Sequence, residues 1–207
     1  MNRYRTEILA ALATGAAKLF LVNLLYWKAP FIILAILGWG WYAWKHAPGH
    51  AARWGFRREG LRESAGWTFL LLAGASLLMI LYNWQQGNSL WHPHLVPVLL
   101  LYPVWGLIQH FLTLGLAIGG LRSLYPQWPV GLLAVIAGLG FAAVHIPVWP
   151  VAAGTFLLAL VYTPIFLKYR NLWPLGLAHG WLGALFYYLV LQEDPWGELL
   201  QAISAGG

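Results

Sequence analysis

No cysteine occurs in the chain, which excludes disulfides, thiolate metal sites and cysteine nucleophiles. Charge is nearly as scarce. Only 9% of the 207 residues are Asp, Glu, Lys or Arg, against roughly 25% in soluble domains. There is no Ser-rich or charge-rich linker to separate two halves, so residues 1–207 read as a single integral membrane domain. The formal charge of +6 raises the question of nucleic acid. The basic residues, however, sit in short segments between apolar stretches rather than in an aromatic-interleaved patch, so the partner they suit is the anionic surface of a lipid bilayer and not nucleic acid.

What is abundant is apolar: 60% of residues are hydrophobic and 14 are tryptophan. A bilayer core takes roughly 20 apolar residues in a helix. Seven stretches approach that length: Thr6 to Trp27, Pro30 to Trp44, Gly66 to Trp84, Leu95 to Leu121, Val130 to Val148, Val151 to Leu167 and Leu172 to Leu191. Ala11-Leu12-Ala13 has the small residues of a signal-peptidase site, but hydrophobicity resumes past Lys18, so this segment reads as an uncleaved first span. Strand-like alternation is lacking, and in lipid only helices or closed barrels satisfy the backbone. The fold class expected is an all-α polytopic bundle of about seven spans.

Basic residues near span ends are retained in the cytoplasm. With seven spans, Arg3, Arg5, Lys45, Arg53, Arg57, Arg58, Arg62, Arg122, Lys168 and Arg170 fall on one side and only Lys28 on the other. This predicts a bacterial-type plasma membrane protein with a cytoplasmic amino terminus and an outer carboxyl terminus. Trp27, Trp44, Trp84, Trp91 and Trp149 fall near span ends, where interfacial anchoring explains them without a ligand.

Polar residues at bilayer depth are costly and therefore candidates for function. The fourth stretch holds Gly106, Gln109 and Thr113 on one helical face with His110 at its edge. The fifth carries His145 on the face of Ala134, Gly138 and Ala142, and the seventh carries His179 beside Gly176, Gly180 and Ala184. Small residues at this spacing let helices approach closely, so a pocket shared by three histidines is the economical inference. His145 lies toward the outer end of its stretch, and a kink or re-entrant end near Ile146-Pro147 reconciles its depth with the others. His46, His50, His92 and His94 read as solvated loop histidines, with adventitious metal as the alternative.

Gln109-His110-Phe-Leu-Thr-Leu114-Gly115, then Phe141-Ala-Ala-Val-His145, then Asn171-Leu-Trp-Pro-Leu-Gly-Leu-Ala-His179 resembles the CAAX protease and bacteriocin-processing family of intramembrane peptidases over about Val98 to Leu189. The resemblance implies that two adjacent glutamates, an arginine and a glycine mark the first motif. The first glutamate activates water with the second-motif histidine, and the last histidine with a following Asn or Asp polarises the scissile carbonyl. Here Gln109 and His110 stand for the glutamates, Leu114 for the arginine and Gly183 for the Asn or Asp, while Gly115 remains. A Gln amide positions water but does not take its proton near neutral pH.

The leading expectation is thus a non-proteolytic relative that binds a peptide, a lipid or a partner membrane protein, also as a subunit of a membrane complex. One alternative is an active peptidase with His110 as base and His145 and His179 orienting water or carbonyl, or with zinc on His110, His145 and His179 and a water in the fourth position. A third is axial ligation of haem or a chlorophyll-type pigment by His110 or His179.

Overall fold

The computed structural model describes residues 2–23, 25 and 27–205. Leu24 and Tyr26 of the expected first span lie outside the described residues. Helices occupy all seven expected stretches: α1 Arg3–Asn23, α2 Lys28–His46, α4 Leu61–Gln85, α5 Leu95–Leu124, α6 Val130–Ala143, α7 Trp149–Tyr169 and α8 Trp173–Leu191. Two more lie between and after them, α3 Ala51–Trp54 and α9 Pro195–Ala205. No strand occurs among the described residues. Five helices, α1, α4, α5, α7 and α8, are long and apolar enough to cross a membrane. The 14 residues of α6 reach only about 21 Å at 1.5 Å each.

The apolar exterior identifies the solvent. Leu34, Phe69 and Leu100 are 67%, 71% and 72% exposed, the reverse of a water-soluble surface, where such residues cluster only at interaction sites. Trp44, Trp84, Trp91 and Trp149 are also exposed, at helix ends. Their indoles are free to lie at the headgroup level.

Contacts at the two ends of the bundle show that successive long helices alternate in direction. At one end α1 and the loop after α2 meet the α7–α8 turn: Arg53 pairs with Glu7, Arg170 donates to the Arg53 carbonyl, and Asn171 donates to those of Arg57 and Glu59. At the other, Asn23 donates to the Ile146 carbonyl, Lys28 pairs with Glu198, and Gln192 donates to Asn83. Both ends of the bundle are tied together by polar bonds.

The largest buried cluster lies toward the first of these ends. Trp54 of α3 is fully buried against Phe111 and Tyr42, plugging the bundle. Gly115 has a packing reason here, since a Cβ on it would sit 3.1 Å from the Trp54 carbonyl oxygen. Residues 111–118 and 186–191, within α5 and α8, are π-helical, and the Gly119 N–H bonds to the Leu114 carbonyl five residues back. Such wider turns are frequent near functional sites. Both follow the polar residues of their helices, Gln109 with His110 and His179.

Candidate functional site

Three glycines bring the site together. A Cβ on Gly106 of α5 would lie 2.6 Å from the Gly180 backbone nitrogen, and one on Gly176 of α8 would lie 2.6 Å from Leu107 Cδ2 and 2.8 Å from its Cα. The two backbones therefore touch at their crossing. Gln109 and His179 each follow one of these glycines by three residues, nearly one turn along the same face. They meet at 2.8 Å, His179 Nε2 to Gln109 Oε1. With Oε1 as acceptor, the imidazole N–H donates and His179 Nδ1 is left as an acceptor, buried and without a partner.

His145 lies in a break of the fifth stretch, next to Ile146-Pro147 where a kink or re-entrant end was the expectation. The fifth stretch is not helical to Val148: α6 ends at Ala143, and residues 144–147 form a turn before α7. Pro147 offers no N–H and disfavours helical geometry at Ile146, which stops the helix. The turn places the His145 ring 5.1 Å from the Phe141 ring, with Nδ1 2.7 Å from the Phe141 carbonyl. A carbonyl only accepts, so Nδ1 carries the hydrogen and Nε2 keeps its lone pair.

The rings do gather. Phe141 lies 5.2 Å from His179 and 5.4 Å from His110, and the His110 and His179 rings are 4.7 Å apart. They are not equivalent in access. A cavity of about 520 Å³ is lined by Gln109, His145, His179 and Tyr162 but not by His110, which is buried behind them. His110 therefore loses the position from which it was expected to act as base on a bound guest. Its two nitrogens, the Tyr162 hydroxyl and His179 Nδ1 are buried with no partner among the described residues.

Tyr162 is the site residue missed in the sequence. Its ring lies 5.3 Å from that of His110 and it is fully buried. A phenol in the middle of an apolar stretch is itself a polar group at bilayer depth, and the criterion that singled out the histidines applies to it equally.

Among the described residues no Asp or Glu lines the cavity, and its ionisable wall groups besides tyrosine and histidine are Lys18 and Lys28. Gly183, where the resemblance expects Asn or Asp, lies on that wall, and a Cβ there meets the Tyr102 ring at an ordinary 3.6 Å. Zinc on the three histidines does not fit this arrangement. Among the described residues His110, His145 and His179 are not a set that brings one ligand nitrogen each within 4.8 Å of the others, whereas zinc holds nitrogens at about 2.0–2.1 Å. An axial pigment ligand meets a similar obstacle, with His110 off the cavity wall and His179 Nε2 engaged by Gln109.

Residues 91–185, which carry all of these groups except Lys18 and Lys28, match the family model described as type II CAAX prenyl endopeptidase Rce1-like. No curated protein and no solved structure gives a significant match.

Proposed function

We propose that this membrane protein keeps the helical core of the CAAX prenyl endopeptidase family, whose model residues 91–185 match, but binds its guest without cleaving it. The observation that carries the reading is the cavity wall, where an amide stands in the position of the general base and the described residues supply no carboxylate. Hydrolysis of an amide bond needs a group that takes a proton from water, and the Gln109 side chain does not do so near neutral pH. Binding needs none of this. The wall is mostly apolar, with polar groups at Gln109, His145 and His179 and two lysines, Lys18 and Lys28, which suits a peptide or lipid with an apolar chain and an anionic end.

A prenylated peptide with a photoreactive chain should crosslink to the cavity wall of the purified wild type while remaining uncut. Cleavage should appear only when the lost groups return, in the double variant Gln109→Glu with Gly183→Asn, for which the contacts at Gly183 leave room. Cleavage by the wild type would overturn the reading, whether or not Gln109→Glu increases it.

The competing reading, an active peptidase, is favoured by one observation. His145 lines the cavity and its Nε2 is free to accept a proton. In that case wild-type cleavage would exist and would vanish in His145→Ala.

The proposal includes orientation, with the amino terminus and the loop after α2 cytoplasmic, the carboxyl terminus outside, and a bacterial-type plasma membrane as the host. Since the chain has no cysteine of its own, Arg58→Cys and Gln86→Cys give clean labels. An impermeant maleimide added to intact cells should modify position 86 and spare position 58. Equal labelling of both would reject the arrangement.

A further inference from the structure

At the end of the bundle away from Trp54, His92 and His94 flank Pro93 at the start of α5, and Asp194 lies in the turn between α8 and α9. The fold joins them across 100 positions of sequence. His94 Nδ1 is 2.7 Å and His92 Nε2 is 3.9 Å from the same oxygen, Asp194 Oδ2. The expectation of solvated histidines does not describe them, because both are half-buried, as is Asp194. We propose that His92, His94 and Asp194 are the protein ligands of a divalent metal site, with zinc the ion their donor types suit best.

The donor set comes first. Two imidazole nitrogens and one carboxylate oxygen lie within 4.8 Å of one another. This is the composition of zinc sites that leave a fourth position for water. Tetrahedral ligands at about 2.0–2.1 Å stand roughly 3.3 Å apart, so the 2.7 Å contact of His94 with Asp194 has to open, the 3.9 Å contact of His92 has to close by about as much, and the two imidazole nitrogens, within 4.8 Å of each other, have to close by at most about 1.5 Å.

The carboxylate is held ready. Hydrogen bonds from the Tyr188 hydroxyl and the His94 ring fix the Asp194 side chain. The Tyr188 hydroxyl donates to Oδ1 at 2.7 Å, leaving Oδ2 toward the histidines. Partners of this kind orient ligands and are part of a metal site's design. The Tyr188 ring also packs on that of His92, with centroids 4.8 Å apart.

In the metal-free form a hydrogen on His94 Nδ1 bridges the ring and Asp194, since a carboxylate accepts only. Zinc replaces that bridge, and the imidazole hydrogen then resides on Nε2. His92 Nδ1, which accepts from the His94 backbone N–H at 3.2 Å, must give up that bond and carry a hydrogen when Nε2 ligates.

The site lies outside the cavity of Gln109 and His179 and does not depend on what that cavity binds. It fastens the start of α5 to the segment leading into α9. Glu198 of α9 pairs at 2.6 Å with Lys28, a residue of the cavity wall, so a bound ion would steady this rim.

The test uses the full chain in detergent, stripped with EDTA and titrated with zinc chloride against a chromophoric chelator. One zinc per chain is expected, held at least tenfold less tightly by His94→Gln or Asp194→Asn and unchanged in His46→Gln/His50→Gln. X-ray absorption of the zinc-loaded wild type should show a shell of nitrogen and oxygen with two imidazoles, independently of any variant. Failure of the wild type to hold zinc at unit stoichiometry, a first shell without two imidazoles, or undiminished binding by His92→Gln/His94→Gln/Asp194→Asn would each overturn the site.

Discussion

Gly180→Ala is expected to destabilise the bundle by about 3 kcal/mol or more, at the upper end of what an added methyl costs in a packed interior. Most overpacked sites yield because a flexible side chain gives way. Here the new Cβ would stand 2.5 Å from both the Pro103 nitrogen and the Tyr102 carbonyl oxygen, which are backbone atoms of α5. Pro103 stiffens that stretch further, its ring fixing φ. The only relief is to move α8 away from α5, which separates His179 from Gln109. Gly140→Ala is the matched control, since a Cβ there meets nothing within 4 Å, and a substitution in open space stays within about ±0.5 kcal/mol. Thermal unfolding in one detergent compares the two directly. If Gly180→Ala melts with Gly140→Ala, the close crossing described here is wrong, and with it the placement of the site.

Loss of Glu7 should cost a similar amount by a different route. Its carboxylate is 3% exposed and takes two bonds from Arg53, at 2.6 and 2.7 Å, with Tyr42 and Arg3 each at 3.2 Å. Removing one partner of a buried pair leaves the other charge uncompensated, at about 3–5 kcal/mol. Arg53 retains 22% exposure and can recover some hydration, so Glu7→Ala should fall near the lower limit, about 3 kcal/mol. Arg3 is 44% exposed, and Arg3→Ala should cost under about 1 kcal/mol. The double variant Glu7→Leu/Arg53→Leu should recover most of the loss, because hydrophobic replacement of a whole buried pair is often neutral. Equal unfolding of Glu7→Ala and Arg3→Ala would show that the pair does not hold α1 to the loop after α2.

The Glu7–Arg53 pair is a contact that no local pattern announces, and it is not the only one. Glu7 and Arg53 are 46 positions apart, Gln109 and His179 are 70, and His94 and Asp194 are 100. Glu7 attracts no notice in a stretch otherwise apolar enough to span. Asp194 reads as part of an acidic tail, and His92 and His94 as loop residues. The small-residue faces, by contrast, were legible in advance. Gly106, Gly176 and Gly180 recur at the spacing of helix crossings, and the polar residues one turn along follow them into the interface.

By itself the sequence determined the solvent, the limits of most helices, and which three apolar stretches carry imidazoles. Hydropathy and the helical period are properties of contiguous residues, and the cost of a polar group in hydrocarbon is already set by its neighbours along the chain. Only the tertiary structure decided which imidazoles reach the cavity. His110 was expected at the chemistry and lies behind the wall, while His145 leaves its helix in a turn and keeps Nε2 free. Those outcomes depend on how far each helix rotates about its axis and where Pro147 breaks one. Such quantities are set by packing between helices, which periodicity along one of them does not encode.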